Sequence, residues 1–204
     1  VIPALRAIRV SEALGEKGTL LALAATAYHA HVAAGSNKPE LIVGHGVLGR
    51  MIARLTVLAG GKPVVWETNP DRRTGAMGYQ LIDPKDDTRS NYRCICDVSG
   101  DPSILDSLIA RGAANCDIVL AGFYDQPMSF SFAPAFLREA RIRIAAQWKP
   151  AELVAVRDLA ESGQLSLDGL ITHRSNPHNA EAAYRTAFDD PTCLKMILDW
   201  RDAR

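Results

Sequence analysis

The sequence lacks the features of several protein classes. It carries no net charge, because 23 basic residues balance 23 acidic ones, and it has no basic run of the kind that binds nucleic acid. Its longest apolar run, residues 20–34, is interrupted by Thr26, His29 and His31 and is too short to span a bilayer. The basic flank and cleavage pattern of a secretory signal are also missing. We therefore expect a cytoplasmic protein with no membrane span and no nucleic-acid partner.

Cysteine is scarce as well. The four cysteines are Cys94, Cys96, Cys116 and Cys193, and their spacing matches neither a zinc finger nor a disulfide framework. Cys94 and Cys96 stand two residues apart in an apolar run, which places both side chains on the same face of a strand. Free cysteine behaves as a small apolar residue. We expect buried, reduced thiols, as is typical of a reducing cytoplasm.

What the sequence does contain is a series of short apolar runs separated by helical patterns. The predicted strands are residues 40–43, 62–67, 79–82, 93–98, 117–122 and 141–147. Their hydrophobicity is continuous rather than alternating, which is typical of parallel strands buried on both faces by helices. The sequence therefore predicts an α/β chain with a Rossmann-type, doubly wound, six-stranded sheet in the order 3-2-1-4-5-6.

Three glycines follow the first predicted strand and open the first predicted helix after it. Gly44, Gly46 and Gly49 have the spacing G-x-G-x-x-G, which indicates a dinucleotide site when a strand precedes it and a helix follows. Gly44 would permit the tight turn, Gly46 the approach of a pyrophosphate, and Gly49 close helix packing. Val47 and Leu48 would offer the free N–H groups of the helix terminus to the phosphates. The alternative is that these small residues serve close packing alone.

An acidic residue at the end of the second strand favours NAD as the cofactor. Glu67 lies 18 positions beyond Gly49, where a carboxylate can bind the ribose hydroxyls of the adenosine half and would repel a 2′-phosphate. Arg72 and Arg73 follow closely, and arginine at that place can also hold a 2′-phosphate. NADP, or a merely solvated pair of arginines, is the alternative interpretation.

The histidines identify no catalytic acid or base. His29 and His31 stand two apart in a predicted helix, so they point to different sides and cannot form an i, i+4 metal pair. His173 and His178 flank a predicted surface turn. His45 lies inside the glycine loop, where we expect its backbone to matter more than its ring.

Several segments occur in the order found in medium-chain dehydrogenases, and together they carry a resemblance to that family. They are LALAATAYHA, LIVGHGVLGR, VVWE, DVSG, VLAGFY and LITHR. In that family a dinucleotide-binding domain is inserted in a GroES-like catalytic domain. The resemblance implies a crossing segment from the catalytic domain at 1–38, the Rossmann domain at 39–170 and a return segment at 171–204. It also implies that most of the catalytic domain is absent from this chain.

Three longer segments are SEALGEKGTLLALAATAYHA, ELIVGHGVLGRMIARL and AQWKPAELVAVRDLAESGQLSLDGLITH. In these segments the chain resembles a narrower group, the bacteriochlorophyllide dehydrogenases of bacteriochlorophyll synthesis. This resemblance implies an NAD-dependent oxidation of a hydroxyethyl side chain to an acetyl group on a tetrapyrrole substrate, with a homodimer left open. Four further cofactor-binding residues follow from the matched motifs, namely Ser99, Gly100, Gly122 and Phe123. The alternatives are another medium-chain alcohol dehydrogenase, a quinone-type reductase, or a module that senses NAD(H).

One position departs from the zinc-dependent members of this family. In those enzymes a cysteine ligand precedes the threonine of a segment like ATAY by four residues, and here Ala22 precedes Thr26 by four. An alanine methyl group cannot bind zinc. We therefore predict no catalytic zinc ligated from this chain, with proton removal left to a residue outside it or to ordered water.

Overall fold

A parallel sheet of six strands forms the centre of the computed structural model, which describes residues 7–35 and 37–201. The strands are β1 (Leu41–Val43), β2 (Val64–Trp66), β3 (Gln80–Ile82), β4 (Tyr92–Asp97), β5 (Gly112–Leu120) and β6 (Arg141–Ile144). They lie in the order β3-β2-β1-β4-β5-β6, and every neighbouring pair is parallel. The predicted strand order and direction are confirmed, and the sheet is of the Rossmann type.

Helices cover both faces of the sheet. The helices are α1 (Leu21–Ala33), α2 (Val47–Leu58), α3 (Leu105–Arg111), α4 (Phe132–Arg138), α5 (Pro150–Glu161) and α6 (Ala180–Asp189). Side chains of α1, α2 and α5 share one apolar core with Cys94 and Cys96 of β4. The alternate residue Ile95 packs into the second core with α3 and α4. All four cysteines are buried free thiols, so the strand-face prediction for Cys94 and Cys96 is confirmed.

The fifth strand begins five residues earlier than predicted. The sequence pattern places the start of the fifth strand at Asp117, but β5 begins at Gly112. The pairing with β4 shifts from Tyr92↔Gly112 to Cys94↔Asp117, so a bulge holds the extra residues of β5. Within it Asn115 has a φ of 58°, a left-handed conformation that asparagine tolerates better than most residues. The bulge consists of small and polar residues, so the pattern of apolar runs does not reveal this part of the strand.

The C-terminal segment forms a second, smaller unit of structure. Strands β7 (His173–Ser175) and β8 (Met196–Leu198) pair in parallel, and α6 lies between them in the chain. Helix α1 packs against α2 and α5. None of the helices within residues 7–35 and 37–201 combines the length and the apolar character needed to cross a membrane. The three segment boundaries expected from the family remain a prediction.

Candidate functional site

The glycine loop connects the carboxyl end of β1 to the first turn of α2. Gly44 donates its N–H to the carbonyl of Trp66 at 2.9 Å and has a φ of 101°, a conformation that favours glycine. A Cβ here would lie 3.1 Å from the Val98 carbonyl oxygen and 3.2 Å from Ser99. Gly49 is even more constrained, because a Cβ would lie 1.9 Å from the Gly44 carbonyl oxygen. These two glycines let the turn, the helix and the end of β4 pack together.

Gly46 stands in a different environment. A Cβ built on it would meet no atom within 4 Å, so the chain itself does not require glycine at this point. Gly46 is the N-cap residue of α2 and supplies no side-chain hydrogen bond to the helix terminus. The first N–H groups of a helix have no intrahelical partners and carry a partial positive charge. The open space at Gly46 therefore fits an anion at the end of α2, next to Val47 and Leu48.

Glu67 directly follows β2 and lies beside the glycine loop. Its side chain is buried, and Oε2 accepts the backbone N–H of His45 at 3.0 Å. Its second oxygen, Oε1, accepts the N–H of Asn69 at 2.9 Å. Each carboxylate oxygen has a further lone pair for a ligand hydroxyl. The carboxylate is thus fixed in place at the carboxyl end of the sheet.

The ring of His45 has a larger role than the sequence suggests. It is fully buried, with Nδ1 2.7 Å from the Arg72 carbonyl oxygen and Nε2 2.7 Å from the Tyr79 hydroxyl. A carbonyl oxygen only accepts, so Nδ1 carries the hydrogen and Nε2 accepts from Tyr79. Burial, aided by the charge of Arg50, lowers the pKa of His45 to about 4 despite the hydrogen bond to Arg72. The neutral ring joins the glycine loop to the segment after β2, which corrects the expectation that the backbone of His45 matters more than its ring.

The loops after β4 and β5 meet beside the glycine loop. A Cβ on Gly100 would lie 3.1 Å from the Phe123 carbonyl oxygen, and one on Gly122 would lie 3.3 Å from the Gly100 nitrogen. The two glycines therefore allow the backbones of these loops to touch. The side chain of Phe123 is 91% exposed and forms an apolar surface at this end of the sheet. The structure brings Ser99, Gly100, Gly122 and Phe123 to the same edge as the glycine loop.

A buried pair behind these loops was missed in the sequence. Asp97, at the end of β4, accepts the N–H of Ser99 at 3.0 Å and the hydroxyl of Tyr124 at 2.6 Å. Burial raises the pKa of Asp97 despite these hydrogen bonds, and burial together with the Asp97 charge raises the pKa of Tyr124. The pair fixes the loop that presents Ser99. The aspartate that opens the motif DVSG was the only available signal.

The two arginines after Glu67 have different partners. Arg73 forms an ion pair with Asp83 at 2.8 Å, which leaves less of its charge for a ligand. Arg72 donates from Nε to the carbonyl of Pro191 in the C-terminal segment. Nothing in the sequence distinguishes Arg72 from Arg73, whereas in the structure only Arg73 of the two is held by an ion pair with Asp83.

The residues considered for metal binding do not come together. Among the residues that the structure describes, no group of three or more His, Cys, Asp and Glu side chains is placed to hold a metal ion. Thr26 donates its hydroxyl to the Ala22 carbonyl at 3.1 Å, and His29 lies 3.0 Å from Glu152. The expected absence of a zinc ligand from this chain stays a prediction.

The chain is similar in sequence to two known proteins. No family model matches the chain. A 2-desacetyl-2-hydroxyethyl bacteriochlorophyllide A dehydrogenase from Rhodobacter capsulatus is 58% identical over 205 residues, covering 100% of this chain and 65% of the relative. A protein of the same name from Cereibacter sphaeroides is 58% identical over 202 residues, covering 98% of this chain and 64% of the relative. This chain is a homologue of the bacteriochlorophyllide dehydrogenases. It spans just under two thirds of the length of these relatives.

Solved structures share the fold at low sequence identity. L-idonate 5-dehydrogenase from Escherichia coli has a TM-score of 0.86 at 20% identity, covering 96% of this chain and 60% of its own. Acetophenone reductase from Geotrichum candidum, in complex with NAD, has a TM-score of 0.82 at 19% identity, with coverages of 96% and 59%. A dehydrogenase from Sinorhizobium meliloti bound to NADP has a TM-score of 0.77 at 18% identity, with coverages of 89% and 59%. The resemblance inferred from the sequence motifs is confirmed.

Proposed function

We propose that this chain binds NAD as part of a dehydrogenase that oxidises the hydroxyethyl side chain of a bacteriochlorophyllide to an acetyl group. The observation that supports the cofactor assignment is the open space at Gly46, at the uncapped end of α2. The names of the two relatives supply the substrate. Solved structures of the same fold contain NAD or NADP, which supports a nicotinamide cofactor.

The residues of the glycine loop and of Glu67 fit the two halves of such a cofactor. The pyrophosphate would lie at Gly46 and receive hydrogen bonds from the backbone of Val47 and Leu48. The ribose hydroxyls of the adenosine half would bind the Glu67 carboxylate, whose negative charge disfavours a 2′-phosphate. This charge is the reason to propose NAD rather than NADP. Ser99, Gly100, Gly122 and Phe123 would border the nicotinamide half.

The proposed reaction removes two electrons and two hydrogens from the carbinol. When bound, the nicotinamide ring would accept the carbinol hydrogen as a hydride. The hydroxyl proton leaves to a base, and the carbon–oxygen single bond becomes the acetyl carbonyl. This chain would bind and orient the cofactor, and the loops after β4 and β5 would exclude water from one side of the ring. The relatives are longer than this chain, and we place the base in that additional length or in ordered water.

The proposal is tested with a protein of the relatives' full length that contains this chain. Incubation with NAD and a hydroxyethyl bacteriochlorophyllide should give the acetyl product, detected by mass spectrometry as the loss of two hydrogens, with equimolar NADH. A full-length protein with Gly46→Val should give neither. If the intact protein binds NAD but leaves the macrocycle unchanged and oxidises another alcohol, the substrate assignment is wrong and the cofactor assignment stands.

A further inference from the structure

A cleft beside α2 is lined by none of the residues that we propose to bind NAD. Its volume is about 500 Å³, and it separates α2 from the segment after β2 and from the C-terminal segment. Three arginines line it, namely Arg50, Arg54 and Arg72. Arg50 and Arg54 stand one and two turns along α2 from Gly46. The hydroxyl-bearing residues Thr172 and Thr192 also line the cleft.

Two of these arginines are buried without an ion-pair partner among the described residues. Arg50 is 6% and Arg54 7% exposed, yet neither forms an ion pair anywhere in residues 7–35 and 37–201. Their recorded hydrogen bonds go to carbonyl oxygens. Arg50 donates to His45 and Arg72, both at 3.1 Å, and Arg54 donates to Ser166 at 2.8 Å. Nε of Arg54 is buried with no partner in the described part of the chain.

The carboxylates at the cleft do not neutralise these charges. Asp168 is bound by Lys17 at 2.5 Å and accepts the hydroxyl of Ser166 at 3.1 Å. Asp71 is exposed and, among the described residues, forms no ion pair with the cleft arginines.

Burying a charge without a paired partner is costly, and buried charges in proteins are ordinarily paired. Burial lowers the pKa of Arg50 and Arg54. The charges of Glu67 and Asp168 offset this lowering of the pKa only in part. The cleft therefore holds positive charge that no ion pair in the described part of the chain neutralises.

We propose that the cleft binds an oxyanion, either a phosphate or a carboxylate group, through Arg50, Arg54 and Arg72. The planar guanidinium group matches both kinds of oxyanion by paired hydrogen bonds. The source of the anion is either the 2′-phosphate of NADP or a separate small ligand. This inference does not depend on the substrate or the reaction proposed above.

Thermal unfolding of the chain in inorganic phosphate tests the site, with sodium chloride at equal ionic strength as the reference. Phosphate should raise the melting temperature of the unmodified chain, because a ligand bound only to the folded state stabilises it. Arg54→Met should lose this increase while melting, without phosphate, at least as high as the unmodified chain. Arg185→Met is the matched control, since Arg185 is an exposed residue in a surface pair with Glu181. It should keep the full increase.

A second variant guards against failure of Arg54→Met to fold. Arg72→Met removes a less buried arginine from the same cleft and should also abolish the increase. No phosphate-specific increase in the unmodified chain would overturn the proposal. The same holds for an increase that persists in both arginine variants but disappears in Gly46→Val, since the phosphate would then bind at the glycine loop.

Titration with the two dinucleotides separates the sources of the anion. If the 2′-phosphate of NADP fills the cleft, Arg54→Met should weaken NADP binding at least tenfold and leave NAD binding unchanged, and inorganic phosphate should compete with NADP alone. If a separate ligand fills it, Arg54→Met should change neither affinity, and phosphate should bind beside NAD. An equal loss of NAD and NADP binding would assign Arg54 to the dinucleotide site and contradict a distinct cleft.

Discussion

Charged residues near the two ends of the parallel sheet differ in their partners. At the amino end, Glu40 precedes β1 and is bound by two arginines, Arg89 and Arg93 at 2.6 Å. On α2, the helix that begins at the carboxyl end, Arg50 and Arg54 are buried, and their hydrogen-bond acceptors are carbonyl oxygens. Glu67, although buried, accepts backbone N–H groups rather than a cation. Arg73 and Asp83 form an ion pair after β2 and β3. Arg50, Arg54 and Glu67, in contrast, have no ion-pair partner among the described residues.

This difference is the one that we expect between a structural cluster and the proposed binding surface. Burial acts to raise the pKa of Glu40, but the hydrogen bonds from Arg93 and the charge of Arg89 outweigh it and hold that pKa below its usual value. Such a cluster stabilises the fold by itself. The carboxyl end instead combines an uncapped helix terminus, an open position at Gly46 and a fixed carboxylate. In parallel α/β sheets ligands bind at this end, and the charge distribution here agrees with that rule.

The largest expected effect comes from Gly46→Val. The added side chain would project into the open space at the end of α2, so nucleotide affinity should fall by more than about 100-fold. The melting temperature should fall only slightly, because no chain atom lies within 4 Å of a Cβ at this position, although valine is a poorer N-cap residue than glycine. Fluorescence titration with NADH and thermal unfolding measure the two quantities. Gly46→Ala should give a smaller loss, and normal NADH binding by the valine variant would make the loop a simple turn.

Replacement of Glu67 should have the next largest effect. Glu67→Ala should weaken NAD binding about tenfold, because the ribose hydroxyls lose their partner. It should reduce the preference for NAD over NADP, because the charge that repels the 2′-phosphate is lost. It should also reduce stability by about 1–3 kcal/mol, because the N–H groups of His45 and Asn69 lose their acceptor. Glu67→Gln keeps an acceptor oxygen and should separate binding from stability. Unchanged affinities for both dinucleotides in both variants would show that Glu67 only supports the loop.

The buried ring of His45 should make stability depend on pH. Its pKa falls from 6.5 to about 4 on folding, so the unfolded chain binds the extra proton between these values. The contribution of neutral His45 to the free energy of unfolding is complete above pH 6.5 and is lost as the pH falls towards 4. Between these values the free energy of unfolding changes by up to about 1.4 kcal/mol per pH unit. Denaturant unfolding at several pH values measures it. His45→Gln should remove this slope, whereas replacement of the exposed His178 should not.

The smallest effect should come from the amino end. Glu40→Gln should cost about 1 kcal/mol of stability at neutral pH, because it weakens the ion pairs with Arg89 and Arg93. Since the folded-state pKa of Glu40 is lowered, its contribution is present above the usual carboxyl pKa and is lost as the pH falls through the folded value. NADH affinity should not change. A clear loss of NADH binding in this variant would break the distinction between the two ends.

The sequence is sufficient for the parts of the fold that repeat a local pattern. Continuous apolar runs predicted the parallel strands, and the spacing of Gly44, Gly46 and Gly49 predicted the loop that joins β1 to α2. The prediction failed where local composition is atypical, as at the start of β5. There the small residues from Gly112 onwards and the left-handed Asn115 interrupt the apolar pattern within a single strand.

The polar networks of the carboxyl end were not predictable, because they join distant parts of the chain. Tyr79 approaches His45 across 34 positions, and Arg54 reaches Ser166 across 112. No spacing rule connects such pairs, and only the folded sheet brings them together. The pair of Asp97 and Tyr124 was equally hidden, although the motifs that contain both residues were noticed.

Amide hydrogen exchange with and without NADH is the most direct test of the proposal that the carboxyl end is the binding surface. Bound NADH should slow exchange at the N–H groups of Gly46, Val47 and Leu48, and in the loops that contain Gly100 and Phe123. Exchange around Glu40 and Arg93, at the amino end, should stay the same. Protection confined to the amino end, or no protection at the glycine loop when NADH is saturating, would contradict the account.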